Sequence, residues 1–91
     1  MTRIARHVRV TGRVQGVFFR QSTAEKANEI GVSGWVRNCP DGSVEAHVEG
    51  IEPAIRSMIE WMEMGPPAAS VVEVDAQPVE PRGLTGFEAR W

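Results

Sequence analysis

The order in which the hydrophobic period changes along this chain limits its folds more than any other feature. Near the middle, Val44, Ala46 and Val48 alternate with Glu45, His47 and Glu49, the period of two that a half-buried strand requires. Cys39, Pro40, Asp41 and Gly42 precede it as a turn, with Pro presetting φ and Gly supplying a positive φ. Ser33 to Asn38, carrying Trp35 and Val36, forms the other arm of a hairpin. Upstream, residues 4 to 12 read as a strand with Ile4, Val8 and Val10 on one side and Ala5, His7 and Arg9 on the other, although Arg6 interrupts the alternation. A helix follows from about Gln21 or Ser22 to Ile30. Arg20, Ala24, Ala27 and Ile30 fall near one face, and Gly31 stops it. The second helix opens on Pro53 and carries Ile55, Met58, Ile59 and Met62 on one stripe, with Gly65, Pro66 and Pro67 ending it. Val72, Val74 and Ala76 alternate with Glu73, Asp75 and Gln77 in a fourth strand. After an excursion from Pro78 to Gly86, Phe87, Ala89 and Trp91 make a short fifth.

The resulting order, β-α-β-β-α-β plus a terminal strand, is the split βαβ pattern of an α+β ferredoxin-like sandwich: an antiparallel sheet with both helices on one face. Right-handed crossovers leave few other topologies. The 91 residues make one domain, 1–91, since a chain of this size can bury roughly 64% of its unfolded surface without staples. At 42% hydrophobic and 24% charged the composition excludes disorder. A net charge of −2 disfavours a dedicated nucleic-acid binder, which needs a clustered basic surface, but leaves room for a local anion site. No apolar run approaches a membrane span, and the amino end from Met1 to His7 lacks a signal-peptide stretch. The single cysteine forms no internal disulfide and no zinc site. The cytoplasm is the expected compartment. No long exposed apolar stripe is left over, so a monomer is expected.

Chemistry concentrates where the first strand hands over to the first helix, from Thr11 through Gly12, Arg13, Val14, Gln15, Gly16, Val17, Phe18 and Phe19 to Arg20. Two glycines let the backbone curl, and the helix start gathers amide N–H groups at the positive end of its dipole. Such a place suits an anion, phosphate above all. Arg20 lies in the first turn, where a cation is mildly unfavourable unless something negative is nearby, and a guanidinium can hold two phosphate oxygens at once. A solvated helix-start arginine beside a plain turn explains this segment alone equally well. It is no Walker A loop, because the second Gly followed by Lys and Ser or Thr is missing. The second candidate is Gly34, Trp35, Val36, Arg37 and Asn38. There Asn38 is by default an Asx-turn residue and Trp35 a core residue.

Together the two stretches are specific. Val10, Gly12, Val14, Gln15, Gly16, Val17, Phe19 and Arg20, followed by Gly34, Trp35, Val36, Arg37, Asn38, Gly42 and Val44, resemble the two signatures of the acylphosphatase family. Gly50, Trp61, Gly65, Pro66, Ala69, Phe87 and Arg90 extend the resemblance over nearly the whole chain. The resemblance implies hydrolysis of acyl phosphates. The amides of Gln15, Gly16, Val17, Phe18, Phe19 and Arg20 would cradle the phosphate, the Arg20 side chain would bind it, and Asn38 would position the attacking water. It implies no cofactor, no metal and no covalent intermediate, and a small-molecule partner only.

Other chemistries fit less well. A Cys-x5-Arg phosphatase fails because Glu45 stands where the arginine belongs after Cys39. His7 and His47 are read as surface or sheet-face residues, and Glu45, His47 and Glu49 as a polar sheet face without a metal-ligand companion. An RNA-binding sheet of this fold needs aromatics between Val44 and Glu49, and there are none. A non-catalytic anion sensor remains the competing class.

Overall fold

The computed structural model describes residues 2–90; the place given to Trp91 in the last strand lies outside them. The elements are β1 (Arg3–Arg13), α1 (Phe19–Ile30), β2 (Ser33–Asn38), β3 (Val44–Ile51), α2 (Glu52–Met64), β4 (Ser70–Val79) and β5 (Phe87–Arg90). They build one five-stranded sheet in the order β4-β1-β3-β2-β5. The two helices pack on it, and Val8, Val10, Val36, Val44, Ala46 and Val48 share one buried cluster with Phe19, Ala27, Ile55, Met58 and Met62. Among the described residues no helix is long and apolar enough to cross a membrane. Four strands pair antiparallel as expected. The fifth does not: β5 runs parallel to β2, so the sheet is mixed. The reason is topological, because the chain must cross from the β4 edge to the opposite edge and there enters beside the start of β2, with Gly34 N–H donating to the Gly86 carbonyl at 2.9 Å.

Further expectations are corrected. Residue Val72 does not point inward. Opposite the junction of Thr11 and Gly12 the register of β4 jumps from Glu73 to Val71, so a β-bulge turns Val72 out to 80% exposure and lets Val71 join Val74 and Ala76 against the core. Only glycine fits at position 12, because a Cβ there would lie 2.3 Å from the Ser70 carbonyl oxygen. Helix α1 starts at Phe19, earlier than expected; of the expected face Ala27 is buried and Ala24 and Ile30 pack half-buried on the core, but the fully buried stripe also takes in Phe19 and Thr23, and Arg20 lies at its edge. Thr23 is tolerated in the core since its hydroxyl donates to the Phe19 carbonyl at 2.7 Å.

The face turned away from the helices is less open than its polar residues suggest. Trp35 lies on that face, not in the core, stacked on His47 at 6.4 Å between ring centroids. His47 and Glu49 are buried there, not solvated, along with Ala5, which pairs with Glu49 across β1 and β3. The segment 80–86 supplies the cover, with the Arg82 and Leu84 amides donating to the Glu49 carboxylate.

Candidate active site

The loop from β1 to α1 is pinned by three apolar residues. Val14, Val17 and Phe19 insert into the core, and Phe19 packs its ring on Trp61 with centroids 5.9 Å apart. The residues between them are forced outward. Gly16 has φ 72° and Phe18 φ 62°, whereas Gln15, Val17 and Phe19 keep negative φ. Such alternation turns successive amides toward one side of the chain, the backbone concavity that binds anions. A side chain at Gly16 would meet no atom within 4 Å, so conformation, not space, selects glycine there. Phe18 has no such excuse. A bulky residue in the left-handed region costs about 1–3 kcal/mol, and its ring is 75% exposed.

The Gln15 side chain does a different job from its backbone. Its Nε2 donates to the carbonyls of Cys39 and Ser43, both at 2.8 Å, and ties the loop to the β2–β3 turn. That turn is itself braced. Cys39 N–H donates to Ser43 O at 2.8 Å, and Asp41 Oδ1 accepts from the Ser43 amide at 2.9 Å and hydroxyl at 2.6 Å. These Ser43 bonds, helped by Arg9, hold the Asp41 carboxyl down at about 2. Asn38 is the last residue of β2, paired with Val44, so the tether fixes its distance from the loop.

Between loop and turn lies a cavity of about 410 Å³. Gly16, Phe18, Phe19, Arg20 and Asn38 all line it, together with Val14 of the same signature stretch and with Gln21 and Ala89, which the sequence did not mark as site residues. The side chains of Gln15 and Val17 do not line it: the first is engaged with the turn and the second with the core, so only their backbone could face an anion there. The α1 start has no side-chain cap and no acidic residue in its first turn, so its positive end is not offset from within the helix. Arg20 Nη1 donates to the Arg90 carbonyl at 2.9 Å, which holds the guanidinium between α1 and β5. Asn38 Oδ1 is buried and takes no hydrogen bond from any described residue. An unsatisfied buried acceptor costs about 1–3 kcal/mol, so a donor at the cavity mouth would stabilise it.

Elsewhere the candidates are spoken for. His7 Nε2 lies 3.0 Å from Glu45, and Arg37 pairs with the same carboxylate. Burial raises the Glu45 pKa, but these partners outweigh it and lower it below the ordinary glutamate value. Cys39 is a free, half-buried turn thiol. No group of three or more His, Cys, Asp or Glu among the described residues could hold a metal ion.

The start of α1, the Arg20 guanidinium and the orphaned Asn38 carboxamide thus converge on one cavity of a small α+β domain. Comparison with known proteins identifies its family. The acylphosphatase family model matches residues 6–89. An acylphosphatase from a Nostoc species is 53% identical over 87 residues, covering 96% of this chain and 86% of the relative. The structure of an acylphosphatase from Coxiella burnetii superposes with a TM-score of 0.93 at 39% identity, covering 97% of this chain and 93% of that one. The crystal structure of acylphosphatase from Bacillus subtilis gives 0.94 at 32%, covering 97% and 99%. The chain belongs to the acylphosphatase family and is a hydrolase of that type.

Proposed function

We propose that the protein hydrolyses the carboxyl-phosphate bond of small acyl phosphates, with Arg20 and the backbone amides of residues 15–20 holding the phosphoryl group and Asn38 orienting the water. An acyl phosphate carries its own good leaving group, since a carboxylate departs without a proton near neutral pH. Phosphoryl transfer passes through a loose transition state in which charge stabilisation and positioning are nearly all the protein contributes. The amide concavity and the Arg20 fork meet the charge. The Asn38 carboxamide accepts a hydrogen bond from the water and points its oxygen at phosphorus, in line with the departing carboxylate. The water oxygen bonds to phosphorus, the bond from phosphorus to the carboxyl oxygen breaks with its electron pair on the carboxylate, and the water proton passes to phosphate or solvent. No step calls for a metal or a nucleophilic side chain.

The observation that carries this reading is the buried Asn38 Oδ1, without a described donor, on the cavity that Arg20 and the bare helix start also line. Purified protein is expected to hydrolyse a simple aryl or alkyl acyl phosphate in the presence of EDTA, with inorganic phosphate as a competitive inhibitor. Phosphate binding without turnover would instead make it an anion-binding module. The lone cysteine, the net charge of −2 and the domain size support a cytoplasmic monomer acting on a free metabolite rather than on nucleic acid.

A further inference from the structure

The chain between β4 and β5 has little slack. The two strands are the outer members of the sheet, four strand spacings apart, roughly 19 Å. From Val79 to Phe87 the chain can reach only about 26–29 Å when fully extended. Residues 80–86 cross the face away from the helices, and over β3 they meet one carboxylate. Glu49 is fully buried there, and its two oxygens take four donors. Oε1 accepts from the Leu84 amide and from Arg3 Nη2 at 3.1 Å; Oε2 accepts from the Arg82 amide at 2.7 Å and from His47 Nε2 at 2.9 Å. Arg3 Nη2 also donates to the Leu84 carbonyl at 3.2 Å, closing the clasp. Burial alone would raise the Glu49 pKa, yet the bonds from His47, the two amides and Arg3 hold it down at about 2.

Downstream of the clasp the chain enters β5, four residues long and paired on one side only, with β2. So short an edge strand has little of its own to fix it. Yet Ala89 forms part of the cavity wall, and the Arg90 carbonyl accepts from Arg20 Nη1. We infer that Glu49 is a positioning residue for Arg20, acting by clamping the 82–84 backbone so that β5 delivers the Arg90 carbonyl to the guanidinium. This rests on the reading of Arg20 as the phosphate-holding side chain.

Glu49→Gln tests it, because the amide nitrogen must then face donors. In the purified full chain, amide hydrogen exchange at residues 82–90 should accelerate while the β1–β3 ladder stays protected. The phosphate dissociation constant and the KM for an acyl phosphate should rise together, roughly three- to tenfold. Arg3→Met, at the partly exposed rim of the clasp, should shift both in the same direction by less, and decides the matter if Glu49→Gln does not fold. Added to Arg20→Lys, which leaves kcat/KM lowered but measurable, either change should lower kcat/KM no further, since its effect runs through Arg20. Faster exchange in β5 with unchanged phosphate affinity, or full additivity in the double variant, overturns the inference while the functional reading stands. A wild-type protein that neither binds phosphate nor turns over substrate overturns that reading, and the role given to Glu49 with it.

Discussion

The two helices of this domain begin in opposite ways. Helix α2 follows an extended Ile51, carries Pro53 in its first turn, and places Glu52 against its own positive end, where it also pairs with Arg56 at 2.5 Å. Its dipole is answered locally. Helix α1 follows a left-handed Phe18, has no side-chain cap and no acid, and puts a cation, Arg20, where the dipole disfavours one. Each departure costs stability. All of them make sense if an external anion completes the helix start. On the reading proposed above, function at this site is written as local disagreement with rules that the same fold obeys elsewhere.

The largest blow to that contrast should come from Arg20→Lys. Loss of the two-pronged contact is expected to lower kcat/KM roughly 10²- to 10³-fold and to abolish inhibition by phosphate, as steady-state kinetics will show. Asn38→Ala should lower kcat about a hundredfold while leaving the phosphate inhibition constant within about twofold. Equal loss of both would make Asn38 a phosphate ligand. Gln21→Glu gives α1 the acid that α2 already has. It should weaken phosphate inhibition by roughly two- to fivefold, the size of a helix-dipole interaction, and no change would mean the dipole is not aimed at the anion. The reciprocal Glu52→Gln should leave turnover untouched and cost about 0.3–1 kcal/mol, a drop in Tm of roughly 2–6 °C by calorimetry.

Much of this architecture is legible in residue order. The hairpin from Ser33 to Glu49 needs only alternation and a Pro-Asp-Gly turn, both local signals, and the structure keeps Ser33–Asn38 unchanged. The stripe Ile55, Met58 and Met62 is buried as its spacing demands. The loop leading to Arg20 and the end of β2 at Asn38 could be marked as a pair by resemblance, but only folding shows them on one cavity. The start of α1 at Phe19 was not legible, because it depends on Phe18 taking a left-handed conformation that no propensity favours. Val72 misleads for a similar reason: a bulge adds one residue to the register, and the side chains from Glu73 to Gln77 still alternate as expected.

By itself, then, the sequence determined the element order, the hairpin and the second helix, since each follows from contacts or periods within a few residues. Only the tertiary structure decided that β5 runs parallel, that Glu49 and His47 are buried, and that Ala89 walls the cavity. Those outcomes depend on residues 33 and 35 positions away reaching Glu49 across the sheet. A polar side chain in an alternating strand looks the same in sequence whether water or a crossing backbone supplies its hydrogen bonds.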